Sequence, residues 1–133
     1  MRGLGTNVLV RVLLRDDRRQ AHAAEAAIDR ALAAGEPVVV SLLTILETEW
    51  VLRSRGGLDK PAIIRTFKSL LEARDLLIED EEVLEQALYA FEDANAEFAD
   101  CLILARYLRS GCASMLTFDS RAAKLAGAEH LQA

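Results

Sequence analysis

Pro37-Val38-Val39-Val40-Ser41-Leu42-Leu43-Thr44-Ile45-Leu46-Glu47-Thr48-Glu49-Trp50-Val51-Leu52-Arg53-Ser54 reads as a strand running straight into a helix. The β-branched run Val38–Val40 follows a turn signal, which suits a buried strand. Ser41 can cap the helix after it, and Gly56-Gly57 stops that helix. Working outward, the same alternation recurs. Residues 1–5 read as a short first strand weakened by Gly3 and Gly5, followed by a helix over Asn7–Leu14 that Thr6 or Asn7 can cap. Ala-rich residues 18–34 form a helix ended by Gly35. Asp59 begins a helix with Pro61 in its first turn, running to about Ala73.

Further along, Leu76-Leu77-Ile78 is a third strand, and 80–94 a helix with Val83, Leu84, Ala87, Leu88 and Phe91 on one side. A break near Asn95 precedes a helix over 97–109, ended by Gly111. Cys112–Phe118 is a fourth strand, Ser120–Leu125 a short last helix, and the tail is a candidate edge strand. Strands separated by helices predict one parallel sheet with right-handed crossovers, covered on both faces. Sites in such sheets form outside the carboxyl ends of the strands. Position 5, Ser41 and Asp119 all fall at or just after predicted strand ends, so one edge of the sheet should carry them.

Composition narrows the classes. The 133 residues suit a single domain over 1–133, and 52% hydrophobic content supplies a core without disulfides. No apolar run is long enough to span a bilayer, and no basic-then-apolar leader opens the chain, so a cytoplasmic protein with no membrane association is expected. Cys101 and Cys112 are not in a CxxC pair and read as reduced thiols. His22 and His130 read as surface residues. With 16 basic and 21 acidic residues the net charge is −5, which argues against a broad non-specific nucleic-acid surface. At 5% aromatic content, a base-stacking platform is not expected either. An RNA-cleaving enzyme stays open, because bound divalent cations offset acids locally.

Isolated acids in apolar surroundings are the chemical signal, since such carboxylates are costly without a compensating cation. Glu47 has Leu43 and Val51 at helical spacing and no basic partner, although a solvated helix residue explains it too. Glu49 has Arg53 at i+4, and a surface ion pair accounts for it. Asp100 has no basic neighbour on its helix; it is either a site residue or a first-turn acid facing the helix dipole. Asp119 ends an apolar strand, with an N-cap as the plainer reading. Thr117 points to the same side of that strand. Thr6 and Ser41 carry hydroxyls at strand ends. The run Glu79–Glu82 reads as negative charge at a helix N-terminus.

The order of these elements resembles the PIN-domain ribonucleases, and within them the VapC-type toxins of bacterial toxin–antitoxin pairs. The carriers are Gly5-Thr6-Asn7-Val8-Leu9-Val10-Arg11, where the family has Asp-Thr-Asn; Glu47 with Trp50-Val51-Leu52-Arg53; Phe98-Ala99-Asp100; and Thr117-Phe118-Asp119. They span nearly the whole chain. The resemblance implies a PIN-like three-layer α/β/α domain with a short central parallel sheet, a homodimer, and a Mg²⁺- or Mn²⁺-dependent endoribonuclease. Carried over, Glu47, Asp100 and Asp119 are metal-site carboxylates, supported by Thr6, Asn7, Ser41 and Thr117. The family's first carboxylate falls on Gly5, which cannot ligate, so impaired cleavage is the expectation. The implied partners are an RNA substrate and a small antitoxin that covers the acidic groove. Competing readings are a non-catalytic module binding RNA or protein and, less well matched, a phosphoacceptor receiver domain, whose strand-end lysine is absent.

Overall fold

The computed structural model describes residues 1–133 and resolves into two compact units, Met1–Glu79 and Asp80–Ala133. The first unit alternates strand and helix: β1 (Arg2–Gly3), α1 (Thr6–Leu14), α2 (Arg18–Ala33), β2 (Val38–Val40), α3 (Leu42–Ser54), α4 (Lys60–Glu72) and β3 (Leu77–Ile78). Its sheet has the order β1-β2-β3 and is wholly parallel, with Arg2 opposite Val38 and Val39 opposite Leu77. Val38 and Val40 are buried, as the β-branched run predicts. Leu9 and Val10 of α1, Ile45 and Leu52 of α3, and Ile63 and Phe67 of α4 are buried with them.

The helix boundaries follow local chemistry. Asp17 caps α2 by accepting from the Gln20 N–H, and Asp59 caps α4 by accepting from Ala62 N–H at 3.0 Å. Ser41 caps α3 as expected, accepting from Thr44 N–H at 3.1 Å. Gly35 and Gly57 take the left-handed conformation at the ends of α2 and α3. The start of α1 differs from expectation. Gly5 itself is the N-cap, with no side-chain bond, and neither Thr6 nor Asn7 serves. Glycine is nearly as good an N-cap as threonine, which leaves the Thr6 hydroxyl free for another partner.

The second unit holds α5 (Glu81–Asp93), α6 (Phe98–Arg109), β4 (Met115–Thr117), a 3-10 turn (Ala122–Lys124) and β5 (Ala128–His130). The helices α5 and α6 pack through Val83, Leu84, Ala87, Leu88, Leu102 and Ala105, all buried. At their junction the rings of Phe91 and Phe98 meet edge to face, 5.6 Å between centroids. Strand β4 pairs parallel with β5, with Met115 opposite Ala128 and Thr117 opposite His130. The tail therefore does form a strand. The single sheet expected from sequence is instead two ladders of three and two strands. Residues 120–125, expected as a short helix, tighten to the 3-10 turn.

Candidate active site

Parallel pairing puts the carboxyl ends of β1 and β2 on one edge of the first sheet, with Gly5 two residues beyond β1 and Ser41 directly after β2. The expected shared edge therefore holds for these two. Asp119 follows β4 of the other ladder, so the one-edge expectation does not extend to it.

At that edge the Thr6 hydroxyl donates to Glu47 Oε1. The bond joins the first turn of α1 to the middle of α3, and Glu47 remains exposed with Oε2 uncommitted. Asn7 is exposed beside them. The Ser41 hydroxyl is occupied by its capping bond and by Thr44 Oγ1, so it organises the helix that carries Glu47 rather than facing a ligand. Glu79 adds to this: its carboxylate accepts from Leu42 N–H at 3.1 Å. It thus supports the N-terminus of α3, whereas the sequence assigned it to the helix after it. Gly5 has φ −77° and ψ 163°, and a Cβ there would meet only Asn7 Oδ1 at 3.7 Å. Position 5 therefore has both the backbone and the room for a side chain such as aspartate.

Glu49 corrects another expectation. It pairs with Arg53 at 2.9 Å as predicted, yet its side chain is only 4% exposed. The pair is half-buried rather than superficial. Thr48 beside it is fully buried, with Oγ1 lacking a hydrogen-bond partner.

In the second unit, Asp100 occupies the first turn of α6. Its carboxyl is raised above the ordinary aspartate value, first by burial, then by the negative charges of Asp119 and Glu97, with Arg121 opposing. The N-cap expected at Asp119 falls instead on Arg121, and Asp119 closes the turn before it: Oδ1 accepts from Arg121 N–H at 2.8 Å and Ala122 N–H at 3.4 Å. Oδ2 is uncommitted. Thr117 Oγ1 accepts from Asp119 N–H at 3.0 Å and fixes the turn. His130 Nε2 lies 3.1 Å from the Phe118 carbonyl oxygen, so this histidine ties β5 to the Asp119 loop.

Comparison with known protein families matches residues 4–128 to the PIN domain. The chain belongs to the PIN domain family. Membership carries the α/β/α fold class expected above, and PIN domains are generally nucleases that use divalent metal ions. No curated protein matches the chain. Within neither unit do three His, Cys, Asp or Glu side chains converge as metal ligands. The donors that are present fit a hard divalent cation in kind. They are carboxylate oxygens, two with an uncommitted oxygen and one under repulsion from its neighbours. Gly5, in the first unit, offers no side-chain donor.

Sequence reasoning missed one feature of this site. A groove of about 850 Å³ runs from Thr6, Asn7 and Glu47 along α1 and α3 to Trp50, Arg55 and Gly56. Its signal was present as Glu47, Trp50 and Val51 at i, i+3 and i+4 on one helix face.

Proposed function

We propose that this PIN domain is a VapC-like toxin, a Mg²⁺- or Mn²⁺-dependent endoribonuclease impaired by glycine at position 5. The observation that carries the reading is Gly5 itself: an extended N-cap with open space for a side chain, next to the Thr6–Glu47 bond. The family match over residues 4–128 runs through both units and supports one functional domain over 1–133.

Glu47, Asp100 and Asp119 are the proposed metal carboxylates. Divalent cations held by these carboxylates would lower the pKa of an attacking water and neutralise charge on the phosphodiester. Thr6 orients Glu47 through its hydroxyl. Thr117 Oγ1 and the Arg121 and Ala122 N–H groups fix Asp119. Burial penalises the charged form of Asp100 and the neighbouring acids add negative potential, both of which a cation would relieve. Ser41 and Glu79 hold the N-terminus of α3, and Asn7 lines the groove at its Glu47 end. The partners proposed are an RNA, a second copy of the chain, and an antitoxin presenting a basic side chain to the acids. A cytoplasmic setting accords with two free cysteines, Cys101 and Cys112.

The test is cleavage of a mixed RNA pool by the parent and by Gly5→Asp, with Mg²⁺, Mn²⁺ or chelator. Gly5→Asp should gain at least about a hundredfold in metal-dependent cleavage, in line with the several kcal/mol a metal contributes. Efficient, chelator-sensitive cleavage by the parent would show that position 5 is not a lost ligand. The second reading, a non-catalytic binding module, draws on the same Gly5, which supplies no ligand. Metal-insensitive RNA or protein binding, with Gly5→Asp still inert, would favour it.

A further inference from the structure

Trp50 is the only tryptophan in the chain, and it is 51% exposed. An aromatic of that size is usually mostly buried, so an exposed one lining a groove invites a partner. Val10, Leu14 and Val51 line the same groove and give it apolar lining. Two arginines border it. Arg11 is held in place, its Nε donating to Gln20 Oε1 at 2.5 Å and its Nη1 lying 3.2 Å from the Asp16 carboxylate. Arg55, at the C-cap of α3, is exposed and makes no ion pair.

We infer that this groove is the track of a single-stranded RNA segment, with Trp50 stacking one base and Arg55 contacting a phosphate beside it. The inference rests on the nuclease reading and extends it to the residues that select substrate. Geometry along α3 supports it. Trp50 lies three residues beyond Glu47, about 4.5 Å along the helix axis, and Arg55 five residues further, about 7.5 Å. A base on Trp50 therefore belongs to a nucleotide next to the one at Glu47, and Arg55, just past the end of α3, borders the same groove. Aromatic stacking tolerates any base, and an unpaired guanidinium suits phosphate. An apolar peptide would leave that guanidinium without a counter-charge. The low aromatic content argued against a stacking platform; one well-placed ring suffices for one base.

Because Trp50 is alone, its fluorescence reports on this groove. The experiment titrates the parent, in chelator, with end-labelled single-stranded RNA of about a dozen nucleotides. Tryptophan emission and label anisotropy are read together. The expected result is quenching that follows the anisotropy curve. Trp50→Ala should weaken binding about tenfold, Trp50→Phe much less, and Arg55→Gln should flatten the salt dependence. In the Gly5→Asp background, Trp50→Ala should raise KM about tenfold and leave kcat nearly unchanged. Anisotropy that rises while emission stays flat overturns the inference and leaves the nuclease reading standing. Emission that responds to an amphipathic Arg/Leu peptide but not to RNA also overturns it, and gives the groove to a protein. No RNA binding at all, with Gly5→Asp inert, overturns both readings together.

Discussion

Asp100 is the third residue of α6, where the helix dipole favours its charge, yet its carboxyl is raised above the ordinary aspartate value. Burial and the charges of Asp119 and Glu97 outweigh the dipole. The native state then holds the proton more tightly than the unfolded chain. Stability falls as pH rises from the ordinary aspartate value through the raised one, and the cost persists at neutral pH. Asp100→Asn should therefore be slightly more stable than the parent at pH 7, the gain kept small because the group is partly solvated. That advantage should vanish below the ordinary aspartate range, as thermal melts across pH would show. Mn²⁺ should raise the melting temperature of the parent and not of the variant; equal shifts would remove Asp100 from the metal site. At this scale, Glu47 and Asp119 stand out in the sequence as candidates because no helical neighbour neutralises the one and an apolar strand ends in the other. The burial of Glu49 was not. Apolar side chains surround α3, with Leu42, Ile45 and Leu52 buried but Leu43 and Trp50 exposed, so the sequence defines no inner face. The cap at Gly5 was hidden for another reason: Thr6 had a better partner in Glu47.

Among the elements, α4 gives the cleanest test of local control. Asp59 accepts from the Ala62 N–H, Pro61 sits in the first turn, and Ile63, Ile64, Phe67 and Leu70 are buried. Asp59→Ala should cost about 1 kcal/mol, read as a lower urea midpoint at unchanged slope. A neutral result would mean packing alone defines that end. All six helices were legible, because caps, glycines and apolar spacing are written within a few residues of one another. Strand extents were not. The fourth strand was expected over Cys112–Phe118 and spans Met115–Thr117, and the third lost Leu76. Segments of two or three residues carry too little alternation to reveal their partners. That is also why one sheet was expected where two ladders form: ladder membership depends on pairing between distant residues.

Across the whole molecule, the PIN family match covers residues 4–128. With a net charge of −5, the proposed RNA contact would rest on local features such as the groove of α1 and α3. The two ladders differ in a further way. In β4 and β5, Met115 faces Ala128, so the pairing spans a short tight connection containing the 3-10 turn. In the first sheet Arg2 faces Val38 and Val39 faces Leu77, about three times the separation along the chain. Closing the longer loops costs roughly 1 kcal/mol more in entropy. Helices α5 and α6 are also neighbours in sequence, so the second unit is rich in local contacts. During refolding, pulse-labelled hydrogen exchange should therefore protect the amides of residues 115–117 and 128–130 before those of 38–40. The reverse order would mean that burial of Val38 and Val40 drives nucleation despite its distance. On this account the turn that carries Asp119 takes shape early, and the edge beside position 5 is assembled late.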